Sequence, residues 1–243
     1  AFSQKSLEYK DDSGKTFEGF LCYPYNLKSP KLSGVLVLHA FQGCTEFEKG
    51  RAEELAKQGY VALAADVYGK GFKATSKEEC FGILKPLIDG DRAELAGRLL
   101  AARNALATID FVDQTKIGAI GYCFGGLCAL DMARRRVSGL RAAVSYHGTL
   151  KPIPDAALDS IDASLQVHNG QADAHIPKEQ IAGFYEEMNE RKADYQFVEH
   201  GFAVHGFTEP DADAMGLPGL AYHKKAAERS WKMTLGFFEE RFA

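Results

Sequence analysis

The chain has 243 residues, 46% apolar and 26% charged, and its 29 basic and 33 acidic side chains leave a formal charge of −4. This is the make-up of an ordinary folded protein, so extensive disorder and coiled coil are excluded, and residues 1–243 are expected to form one domain around one core. No basic excess is available to attract a phosphate backbone, and no apolar run approaches the roughly 18 residues of a membrane span; neither nucleic acid nor membrane is expected as a partner.

In chain order, Leu7-Glu8-Tyr9-Lys10 and residues 16–23 alternate around the turn Asp12-Ser13-Gly14, which predicts an antiparallel strand pair. Residues 34–39 and 60–66 are short apolar runs, as in strands buried on both faces. Residues 45–58 between them read as a helix with Gly59 as its stop. Residues 70–88 carry no assignable pattern. Residues 92–109 place Leu95, Leu99, Ala102, Leu106 and Ile109 on one helical face. A strand over 116–121 runs into a glycine-rich turn. The helix after it ends near Arg136, where the run Arg134-Arg135-Arg136 suits the negative end of a helix dipole. Strands are expected over 140–146, 164–168 and 195–198. Helices are expected over 178–192, with Ile181, Phe184, Tyr185 and Met188 facing inward, and over 222–242, carrying the only tryptophan, Trp231. This alternation predicts an α/β fold with a mostly parallel central sheet and helices on both faces.

Five cysteines, Cys22, Cys44, Cys80, Cys123 and Cys128, follow no disulfide or zinc spacing. Free thiols suit a reducing compartment, and the segment from Ala1 to Lys5 has no apolar signal core, so a cytoplasmic location is expected. No histidine pair has metal-ligand spacing, and neither metal nor cofactor is expected.

Gly121-Tyr122-Cys123-Phe124-Gly125 has the form G-x-S-x-G with cysteine in place of serine, between a strand and a helix. A nucleophile on so tight a turn needs glycines two residues to either side, because side chains there would collide. A dinucleotide-binding turn fits less well, since Cys123 occupies the middle-glycine position of G-x-G-x-x-G. In such sites the acid and then the histidine follow the nucleophile in the chain. Asp173 lies just past the strand over 164–168, and His200 and His205 follow the last strand. His205 is favoured over His200 because Gly206-Phe207 follows it. His39, Tyr68, His147, Phe207 and Glu209 are candidates for lining a substrate pocket.

Taken together these segments resemble the dienelactone hydrolase (carboxymethylenebutenolidase) family of the α/β-hydrolase superfamily. The resemblance rests on residues 34–39 with Gly43, residues 59–69, residues 121–126, residues 170–177 around Asp173, and His205-Gly206-Phe207. It implies a Cys123–His205–Asp173 triad, with the backbone N–H groups of Phe124 and Phe41 as oxyanion hole. It further implies hydrolysis of a small ester or lactone through a thioester acyl-enzyme. Two positions depart from the family pattern. Ala40 stands where many members have a glutamate that helps switch the cysteine between thiol and thiolate. Glu209 stands where the dienelactone-specific enzymes have a carboxylate-binding arginine, and no arginine lies between Arg51 and Arg92 to supply another. An alternative expectation, favoured by Ala40, is a weak catalyst whose cysteine traps electrophiles or senses oxidants.

Overall fold

The computed structural model describes residues 2–243; Ala1, the first residue of the segment read as lacking a signal core, lies outside the described residues. The architecture starts from the two apolar runs. In β3 (Leu32–Leu38) and β4 (Val61–Ala65), Leu36, Leu38 and Leu63 point to one side and Val35, Val37, Ala62 and Ala64 to the other. Successive strand residues alternate faces, so a run without polar residues must be covered twice. The cover on one face is α3 (Ala93–Ala107), α4 (Phe124–Arg134) and α5 (Lys178–Glu190). On the other it is α1 (Glu46–Lys57) and α6 (Lys224–Phe242), through Leu55, Phe237 and Phe238.

The remaining strands are β1 (Phe2–Lys10), β2 (Thr16–Pro24), β5 (Val112–Tyr122), β6 (Leu140–Tyr146), β7 (Ser164–Gly170) and β8 (Tyr195–His200). They complete an eight-stranded sheet of order β1-β2-β4-β3-β5-β6-β7-β8. β1 and β2 join antiparallel at one edge, and every pairing from β4 through β3 to β8 is parallel. The expected α/β architecture is therefore the observed one. Because the parallel strands all end on one side, the loops after β5, β7 and β8 emerge at the same edge.

The unassigned stretch holds α2 (Lys77–Ile88), capped by the Ser76 side chain, which accepts from the Glu79 N–H. Gly82 and the internal Pro86 explain why its sequence does not read as a helix. Tyr185 does not face inward; it is 38% exposed, and Glu187 takes the buried position on α5.

Arg134 does end α4, as its sequence suggests, but it does more than complement the helix dipole. It is buried in an ionic chain in which Arg92 holds Asp131 at 2.7 and 2.9 Å, and Arg134 bridges Asp131 at 3.1 Å and Glu187 at 2.9 Å. Arg191 adds a contact to Glu187 at 3.2 Å. This chain ties the start of α3 and the end of α4 to α5. Removing one partner of a buried pair leaves an uncompensated charge. Asp131→Ala, which leaves buried Arg92 without its carboxylate and removes one of the two on Arg134, is therefore expected to lower stability by about 3–5 kcal/mol. Asp162→Ala, which breaks the exposed Arg136 pair, is expected to cost less than about 1 kcal/mol. Urea unfolding of the two variants checks the difference.

Candidate active site

The turn between β5 and α4 sets the site. Cys123 adopts φ 56° and ψ −112°, a conformation that costs a non-glycine residue about 1–3 kcal/mol. The surroundings enforce it. A Cβ on Gly121 would stand 1.8 Å from the Gly125 carbonyl oxygen, and one on Gly125 would stand 2.1 Å from that of Leu38. The Cys123 N–H donates to the Tyr146 carbonyl at 2.9 Å, and its carbonyl accepts from Gly126 at 2.9 Å. The side chain is thereby lifted away from the sheet at the first turn of α4.

Loops from two other strands meet it there. The Sγ of Cys123 lies 3.0 Å from Nε2 of His205, and Nδ1 of His205 donates to Oδ2 of Asp173 at 2.8 Å. The other carboxylate oxygen of Asp173 accepts the His175 N–H at 2.8 Å. The His205 loop is clamped from outside, since Ala221 N–H donates to the His205 carbonyl and His223 N–H to that of Phe207. Burial alone would lower the His205 pKa. It is outweighed by the electrostatic attraction of Cys123, by the hydrogen bonds to Asp173 and Cys123, and by the charge of Asp173, which together push His205 up to about 10. His200 is elsewhere: its Nε2 lies 3.0 Å from Nδ1 of His168 in a buried histidine pair.

A cavity of about 270 Å³ opens over the sulfur. Phe41 and Phe81 stack in parallel at 5.3 Å on its wall, with Leu84, Leu217, Pro218 and Leu220 completing an apolar lining. Of the candidates for the pocket wall, His147 and Glu209 line it. His39, Tyr68 and Phe207 stand behind it. His39 spends both ring nitrogens on backbone, at 2.8 Å to the Ala40 carbonyl and 3.1 Å from the Val67 N–H. The Tyr68 hydroxyl donates to the Phe41 carbonyl at 2.8 Å and so props the loop that carries Phe41. Phe207 is fully buried against His147 and His200.

The sequence profile of the dienelactone hydrolase family matches residues 17–242. The chain belongs to that family. Its members hydrolyse esters and lactones. A dienelactone hydrolase-like promiscuous phosphotriesterase from metagenomic libraries superposes with a TM-score of 0.93 at 34% identity, covering 100% of both chains. The chain is 48% identical over 151 residues to an uncharacterized Caenorhabditis elegans protein, covering 62% of this chain and 96% of that one. It is 28% identical over 249 residues to a probable 2-oxo-3-(5-oxofuran-2-ylidene)propanoate lactonase of Bradyrhizobium sp., covering 92% and 90%.

Part of the pocket wall of this hydrolase comes from segments that the sequence does not mark, Phe81 and Leu84 of α2 and residues 217–220. None of these segments has a motif, and only their apolar side chains could have pointed to them. Two acids near the site are also perturbed. Burial, opposed by hydrogen bonds from Thr45, holds Glu48 up at about 7. Burial, then the charge of Glu48, holds Glu209 up at about 7. A carboxyl whose folded pKa lies above its unfolded value near 4.5 stabilises most below about pH 4.5 and loses that contribution as pH rises through about 7. Glu209→Gln is therefore expected to be more stable than the parent at about pH 8, by on the order of 2 kcal/mol, and to lose that advantage at about pH 5. Urea unfolding at both pH values measures it; an equal gap at both would remove the titrating acid from the explanation.

Proposed function

We propose that the protein hydrolyses a small carboxylic ester or lactone with Cys123 as nucleophile, His205 as base and Asp173 as the group that orients the histidine. The observation that carries this reading is the unbroken hydrogen-bonded line from Sγ of Cys123 through the His205 ring to Asp173, at 3.0 and 2.8 Å. Ionised Cys123 attacks the substrate carbonyl carbon while His205, protonated, waits beside it. The resulting oxyanion is received by the N–H groups of Phe41 and Phe124. Phe124 begins α4, so its N–H has no acceptor within the helix, and the positive end of the helix dipole adds to the effect. One such donor is worth roughly 3–4 kcal/mol in comparable sites. Collapse breaks the C–O bond, His205 passes its proton to the departing oxygen, and a thioester remains on Cys123. Water deprotonated by His205 then attacks the thioester, releasing the acid and restoring the thiolate–imidazolium pair.

His147 stands 5.5 Å from the His205 ring, and burial, reinforced by the charge of His205, pushes its pKa well below the ordinary value. It stays neutral and does not compete with His205 for the proton. The five free cysteines fit a reducing compartment such as the cytoplasm.

The second reading, a reactive thiol that traps electrophiles without turnover, is supported by Ala40 in the pocket wall, where many family members have a glutamate. A panel of activated esters, lactones and a neutral phosphotriester separates the two, since the trap gives one modification per chain and the hydrolase gives many turnovers. Within the panel, His205→Ala is expected to lose several orders of magnitude in kcat, whereas His200→Ala keeps most of it. A folded His200→Ala protein with the larger loss would overturn the assignment of the base.

A further inference from the structure

The reaction above leaves one group in the pocket wall without a task. Glu209 lies four residues beyond His205, lines the cavity together with Cys123 and Ala40, and is only 7% exposed. Among the described residues nothing donates a hydrogen bond to its carboxyl; its charged surroundings are Glu48, His205 and Asp211. No lysine or arginine lines the cavity. A carboxyl so largely enclosed, with no donor from the protein, keeps its hydrogen-bonding capacity for what enters the cavity.

We propose that Glu209 is a substrate-recognition residue whose carboxyl accepts a hydrogen bond from a hydroxyl or ammonium group of the substrate. The preferred substrate is then an ester or lactone with a compact apolar body and one such donor, and a free carboxylate is excluded. The ester or lactone part rests on the function proposed above; the donor subsite does not. The stacked Phe41 and Phe81 rings, with Leu84, Leu217 and Leu220, supply the apolar surface, and about 270 Å³ holds a single ring with a short chain.

Titration sharpens the preference. Held at about 7 by burial and by Glu48, Glu209 interconverts between acid and carboxylate near neutrality. The titratable groups around it are Glu48 on α1, Tyr122 at the end of β5, and His205 and Asp211 on its own loop. Cys123, His147 and His175 share the cavity. Ammonium binding should therefore strengthen as pH rises through about 7, while the binding of a hydroxyl, which either form of the carboxyl accepts, should change little.

The test uses inert probes that carry no ester, so it does not depend on turnover. Toluene, benzyl alcohol, benzylamine and benzoate are titrated calorimetrically into the wild-type protein and into Glu209→Gln. Protection of Cys123 from limiting iodoacetamide reports that each probe occupies this cavity. The expected order in wild type is benzylamine, then benzyl alcohol, then toluene, with benzoate weakest and about tenfold or more below benzylamine. In Glu209→Gln the amine should lose its advantage over the alcohol, and the gap to benzoate should narrow to within about threefold. Benzoate binding as tightly as benzylamine in the wild type would overturn the proposal without any variant, and so would an unchanged amine-to-benzoate ratio in a folded Glu209→Gln protein. If esters turn over while this ranking fails, the subsite alone is wrong. If the ranking holds and no ester turns over, the subsite stands and the hydrolase reading falls.

Discussion

The site depends on the backbone at Cys123. A residue with a side chain is held at positive φ on a turn that leaves no room for a Cβ at Gly121 or Gly125. That strain is tolerated because the flanking backbone is fixed from three sides. The Cys123 N–H reaches β6, its carbonyl caps the start of α4, and Gly125 packs directly onto the last peptide of β3. Relaxing the turn would sink the sulfur toward the sheet and break its 3.0 Å contact with His205. The central strands are apolar on both faces for the same purpose, since a turn can be held under strain only by elements that do not move.

Support for the turn extends along α4. Its N-terminus carries the sulfur, and its C-terminus is anchored by the buried chain of Arg92, Asp131, Arg134, Glu187 and Arg191. Charges so deep contribute to stability only while all of them are paired, which makes the chain an all-or-nothing tie between α3, α4 and α5. The opposite wall of the pocket is built differently. Residues 217–223 lie over the His205 loop through two backbone hydrogen bonds and an apolar edge. The helix behind the sulfur is thus tied by ions, whereas this wall rests on two backbone hydrogen bonds and apolar contacts.

Much of this was legible in the sequence, for local reasons. Apolar runs such as residues 34–39 announce buried strands, and a glycine-bracketed cysteine between a strand and a helix announces a tight turn. Asp173 and His205 could be placed beside that turn because each follows a strand, and parallel strands deliver their following loops to one edge. What failed depends on tertiary contacts. Arg134 reads only as a basic helix end until Glu187, 53 residues away, is brought against it. His39 and Tyr68 flank the right loops, but sequence position does not say which way a ring turns, and both turn toward backbone acceptors behind the wall. Residues 70–88 hide a helix because Gly82 and Pro86 weaken its signal, so the Phe81 and Leu84 side of the pocket was invisible.

The central claim is that bond-making occurs at the Cys123 sulfur, with the buried imidazole–carboxylate pair behind it. The most direct measurement is rapid acid quench of the protein with an activated aryl ester, followed by mass spectrometry of the digested chain. The expected result is a transient acyl group on the peptide carrying Cys123, formed faster than steady-state turnover and lost on standing. It should be absent from peptides carrying Cys22, Cys44, Cys80 and Cys128. Turnover with no acyl group on Cys123 at any quench time, or with the group on a different side chain, would contradict the account.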